Sequence, residues 1–109
     1  MTSIPPARRP GVLEVQLTRV HIPEDAQDEE YIGWTAQWAL RDQSVGIEDS
    51  NEDLQQLLDD IVDDARQQWT DRYDLTIEWE LSGDAPTGKT VQDMVTEVGV
   101  TLPTTVMPG

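Results

Sequence analysis

Apolar positions recur at steps of three and four between Ser50 and Trp69: Leu54, Leu57, Leu58, Ile61, Val62, Ala65 and Trp69. At about 100° per residue they fill an arc of roughly 140°, the stripe of an amphipathic helix. The remaining circumference holds Glu52, Asp53, Gln56, Asp59, Asp60, Asp63, Asp64 and Gln67. Ser50 is placed to cap this helix, its hydroxyl accepting from the amide of Asp53. Acids in the first turn suit the helix dipole. Aspartate is a mediocre helix former, and the pairs Asp59/Asp63 and Asp60/Asp64 repel at i,i+4. The helix therefore depends on burying its apolar stripe.

Elsewhere the period is two. From Val12 to Ile22, Leu13, Val15 and Leu17 alternate with Glu14, Gln16 and Thr18, and then Val20 and Ile22 fall on the opposite parity. A bulge or bend near Thr18–Arg19 reconciles the two halves, or else the strand ends at Thr18. Pro23 to Glu30 is acidic and reads as a loop. In Tyr31 to Arg41, Ile32, Trp34, Ala36, Trp38 and Leu40 share one face. Asp42–Gln43–Ser44 turns the chain, and Val45–Gly46–Ile47 predicts a short third strand leading into the helix cap. After the helix, Tyr73, Leu75, Ile77, Trp79 and Leu81 alternate with polar residues in a fourth strand. Ser82 to Lys89 is a loop. Thr90 to Val98 predicts a short helix, capped by Thr90 with Asp93 three residues on and ended by Gly99.

These elements predict an α+β domain: an antiparallel sheet in the order β-β-β-α-β, one covering helix and a short C-terminal helix. Residues 1–11, with three prolines, are expected to be a flexible arm. Residues 12–99 form the domain, and residues 100–109 a tail with an extended piece at Val100–Leu102. One helix covers one face of the sheet. The other, bearing Glu14, Gln16, Thr35, Gln37, Thr76 and Glu78, stays open and invites a homo-oligomer.

Charge narrows the function. The 109 residues include 22 acids against seven bases, a net charge of −15. Such a charge repels phosphate, so direct nucleic-acid binding is not expected. An acidic surface of this kind is often only solvated; it can also attract a basic protein partner or imitate a polyanion. There are no cysteines, hence neither disulfides nor thiolate metal sites. No apolar run approaches the roughly 20 residues of a membrane span, and no signal peptide is read at the N-terminus, so a cytoplasmic protein without membrane contact is expected.

Trp34–Thr35–Ala36–Gln37, Ser44–Val45–Gly46, the junction Ser50–Asn51–Glu52–Asp53 and the apolar run Leu54 to Ala65 together resemble the HicB-type antitoxins. The likeness covers Leu13 to Leu81. It implies an incomplete ribonuclease-H-like fold without catalytic activity, and a protein that binds and neutralises a small basic RNA-cleaving toxin as a dimer or larger assembly. Family members usually add a DNA-binding segment. Here the residues after Leu81 hold Lys89 as their sole base, which argues against operator binding.

Asp59, Asp60, Asp63 and Asp64 lie on one helical arc and do not converge as a hydrolytic metal site requires. Together with Glu52, Asp53 and Tyr31 they are the candidate protein-binding residues. His21, the single histidine, is read as exposed and without a role. Gly83 and Gly88–Lys89–Thr90 match the spacing of a phosphate loop. Pro86 inside the loop and the short helix after it make that match coincidental. No catalytic residue, metal or cofactor is assigned. Three functions follow. The first is an antitoxin-like acidic module that captures a basic protein. The second is a phage-type polyanion mimic that inhibits a nuclease or DNA-binding protein. The third, least supported, is a nucleotide-binding enzyme.

Overall fold

A computed structural model describes residues 8–43 and 46–108. The described residues form β1 (Arg9–Ile22), β2 (Tyr31–Leu40), β3 (Ile47–Asn51), α1 (Leu54–Gln68), β4 (Tyr73–Gly83), α2 (Val91–Val98) and β5 (Thr105–Val106). The fold is α+β, with one sheet in the order β3-β2-β1-β4-β5. β1 is central: it pairs antiparallel with β2 and parallel with β4. β3 and β5 run antiparallel to β2 and β4.

The sheet is therefore mixed, where a purely antiparallel one was expected. The reason lies in the helix. β3 and β4 both run in the direction of β1, so the chain must cross over between them, and α1 is that crossover. A helix laid back along the sheet returns the chain to the end at which the preceding strand began. The next strand is then parallel to it.

β1 is also longer than its apolar alternation. It starts at Arg9, inside the stretch expected as an arm, where Arg9 N–H donates to the Arg72 carbonyl at 3.0 Å and Arg8 pairs with Asp74 at 3.1 Å. Residues 1–7 lie outside the described residues. No bulge interrupts β1: its register with β2 is continuous from Leu13↔Leu40 to Ile22↔Tyr31. The pleat instead carries Arg19 onto the covered face, where it is 7% exposed, and leaves Ile22 51% exposed. Ile32, expected in the core, is also exposed.

The core matches the apolar pattern of α1. Leu54, Leu57, Leu58, Ile61, Ala65 and Trp69 are buried against Leu13, Val15, Leu17, Trp34, Ala36, Trp38 and Leu40. Burial of each large side chain contributes about 1.5–3 kcal/mol. Trp34, Trp38 and Trp69 are core fillers, and Trp79 is partly buried with its indole N–H donating to the Pro103 carbonyl at 2.7 Å. α2 forms as its sequence predicts. The Thr90 side chain accepts from Asp93 N–H, the Asp93 carboxylate accepts from Thr90 N–H, and Gly99 ends the helix in the left-handed region.

Other boundaries also differ from expectation. Val45 lies outside the described residues, and the third strand runs Ile47–Asn51. In the tail, Val100 and Leu102 pack partly buried against the core, while pairing falls on Thr105–Val106 against Leu75 and Thr76. No described helix is long and apolar enough to cross a membrane.

Candidate protein-binding surface

The helix cap sits three residues later than its sequence suggests. Ser50 belongs to β3, where its hydroxyl meets that of Thr35 at 3.0 Å across the ladder. Asp53 caps α1 instead, its carboxylate accepting from Gln56 N–H, while its own N–H donates to the Asn51 side chain. Asp53–x–x–Gln56 is as good a capping sequence as Ser50–x–x–Asp53. Strand pairing with Thr35 chose between them. Starting the helix at Leu54 also points the whole apolar stripe at the sheet.

With that stripe inward, the acids of α1 face outward, each held by a neighbour. Gln55 donates to Asp59 at 3.0 Å and Gln56 to Asp60 at 2.9 Å, both across one turn. Gln68 donates to Asp64 at 2.8 Å. Asp63 pairs with Arg66 at 3.1 Å. Three of the four aspartates are thus oriented by neutral amides, which fix the carboxylate without cancelling its charge. Asp64 has a second task. It accepts from the indole N–H of buried Trp38 at 2.8 Å, tying helix to sheet. That role makes Asp64 part of the fold as well as of the acidic arc.

Beside this arc runs a groove of about 410 Å³ between α1 and the C-terminal segment. Leu58 and Val62 lie in it, with Asp59, Asp63 and Arg66 on its α1 side and Thr101 and Pro103 opposite. Glu52 is exposed at the junction before the helix. Tyr31 is not part of this surface. It lies on the other face of the sheet with its ring over Gly33, where an added Cβ would stand 2.4 Å from the Tyr31 hydroxyl oxygen. Tyr31 therefore covers a glycine within its own strand.

The remaining candidates are placed as follows. His21 donates or accepts at Glu30 Oε2, 3.1 Å away, near the end of the β1–β2 hairpin. Gly83 closes β4 at φ +106°, and an added Cβ would meet the Arg19 carbonyl at 2.2 Å. Asp84 then clasps β1: its N–H donates to the Arg19 carbonyl, its carbonyl accepts from the Arg19 guanidinium, and its carboxylate accepts from His21 N–H. Thr90 caps α2, the Thr90 hydroxyl and the Asp93 carboxylate each accept from the other residue's amide, and Lys89 pairs with Glu97. The Gly83 to Thr90 segment is thus a pinned turn. In the acidic Pro23 to Glu30 loop, the Asp25 carboxylate accepts from the amides of Gln27 and Asp28, and these bonds hold it below the usual carboxylate range. Among the described residues, no three His, Asp or Glu side chains stand close enough to hold a metal ion.

Arg19 and the three glutamines escape a reading from hydrophobic period alone. The glutamines had a signal, since each stands four residues from the aspartate it orients. Arg19 had only its odd parity in β1.

No family model, curated protein or solved structure matches this chain.

Proposed function

We propose that this protein is a non-catalytic acidic module that captures a basic protein, in the manner of the HicB-type antitoxins its sequence resembles. One observation carries the reading. The outer face of α1 presents Asp59, Asp60 and Asp64 at fixed positions, oriented by glutamine amides that leave their charge intact. Preorganised carboxylates lose little side-chain entropy on meeting lysines and arginines, and a net charge of −15 steers such a partner towards them. The adjoining groove offers the half-buried Val62 to an apolar anchor beside the ion pairs. From β1 to β4 the elements follow in the order the sequence predicts, three strands, a helix and a strand.

The test is charge reversal on α1. Asp59→Lys, Asp60→Lys and Asp63→Lys are combined, and Asp64 is left in place because it holds Trp38. The variant is expected to keep its circular dichroism and thermal midpoint and to lose the basic protein that the parent chain captures from its host. Retention of that partner by the reversed chain would refute the acidic-face reading. Displacement of the partner by its own nucleic-acid ligand would move the reading to the polyanion mimic.

A further inference from the structure

We infer that the uncovered face of the sheet is a second docking surface, shaped for an extended lysine- or arginine-bearing segment of a basic protein; this rests on the reading of the chain as a module for basic partners. α1 and the core occupy one side of the sheet. On the other, strand register assembles polar rows that run straight across it. Glu48, Gln37, Gln16 and Glu80 stand side by side on β3, β2, β1 and β4. Two residues along, the row is Ser50, Thr35, Thr18 and Ser82. The outer pairs of both rows are bonded: Gln37 donates to Glu48 at 3.0 Å and Gln16 to Glu80 at 3.5 Å, and the Thr35/Ser50 and Thr18/Ser82 hydroxyls each meet at 3.0 Å.

The next row in the other direction is Glu14, Ala39 and Glu78. Glu14 stands at its centre, and its β2 end is the methyl group of Ala39, with Gly46 beside it. The face sinks there into a depression of about 360 Å³ that crosses β1, with Ala39 and Gln37 on its β2 side, Glu14 and Gln16 along its middle, and Glu78 and Glu80 on its β4 side. The chain's own Arg41 already bonds Glu78 and reaches within 3.6 Å of Glu14, so a guanidinium fits this edge of the hollow. Glu14, Glu48, Glu78 and Glu80 still outnumber Arg41, and the surplus negative charge is what a cationic side chain complements.

The rows select an extended occupant. They repeat every second residue along the strands, as do same-side side chains of an extended segment, about 6.5–7 Å apart. A lysine stem laid over Ala39 would bury its methylenes and bring its ammonium to the carboxylates. A second copy of the same face is a poor occupant, because it would set glutamate rows against glutamate rows.

The probe is a decapeptide alternating lysine and threonine, titrated into the full chain by isotopic amide NMR and calorimetry. Shifts are expected at residues 14–18 and 35–39. Glu14→Gln, Glu48→Gln and Glu80→Gln together are expected to weaken binding about tenfold. Ala39→Met, which fills the hollow at constant charge, is expected to do the same. Neutralising Glu24, Asp28 and Glu29 removes as much charge from the distant loop and is expected to change affinity less than about twofold. Equal losses in the loop and face variants would overturn the inference, since attraction would then be diffuse. Loss only in the α1 charge reversal would overturn it while leaving the acidic module standing. No binding by the parent chain would count against both. A dimer in sedimentation that Ala39→Met dissolves would overturn it in favour of a second copy.

Discussion

The two faces of the sheet are made from the same strands, one residue apart, and meet opposite solvents. On the covered face Leu13, Val15, Leu17, Trp34, Ala36, Trp38 and Leu40 are each 4% exposed or less. On the open face Glu14, Gln16 and Gln37 are exposed and Thr18 and Thr35 half-buried, and all but Glu14 bond a side chain on the neighbouring β3 or β4. The instructive position is where the two chemistries cross. Past Leu17 the apolar residues change parity, and hydrophobicity alone would have the strand change phase with them. It does not. β1 is paired on both sides, so a bulge there would disrupt two ladders at once. The sheet keeps its register, buries Arg19, and exposes Ile22. The guanidinium finds the Asp84 carbonyl at 2.8 Å, which offsets part of its desolvation.

The two faces differ most in what a core substitution costs. Leu17→Ala is expected to cost about 2–5 kcal/mol, whereas Gln16→Ala, its neighbour on the open face, should stay within about 0.5 kcal/mol. Urea denaturation of the two variants measures the contrast, and similar midpoints would mean that α1 does not cover this face. Arg19 sharpens it further. Arg19→Ala should cost about 1–3 kcal/mol through the lost stem packing and the orphaned Asp84 carbonyl, and Arg19→Met should recover the packing share. A methionine variant no better than alanine would assign the whole effect to the hydrogen bond. The smallest effect concerns the open face. Ser50→Ala should cost only a few tenths of a kcal/mol if its hydroxyl serves a ladder pair, against about 1 kcal/mol for Thr90→Ala at a genuine helix cap. Thermal unfolding of both variants decides, and equal losses would restore Ser50 as a cap.

The candidate surface was legible in part for the same reasons. Asp59, Asp60 and Asp63 lie outward as the helical period requires. Asp64 shares their arc but bonds Trp38, a partner 26 residues away that no local spacing reveals. Tyr31 lies off the core face, as its parity requires, and so stands over Gly33 on the far side of the sheet from the acidic arc. The rows around Ala39 depend on which residues of four strands stand abreast, and no single segment encodes that.

Local chemistry was enough to determine the stripe of α1, the strand Tyr73–Leu81, and the complete cap and stop of α2, because each depends on residues within a few positions of one another. Three features were decided only when the segments met. The parallel seating of β4 beside β1 follows from a helix that must lie back along the sheet. The cap moved from Ser50 to Asp53 because Thr35 claimed the serine. Arg19 went inside because a strand hydrogen-bonded along both edges shifts its phase less readily than it buries one guanidinium.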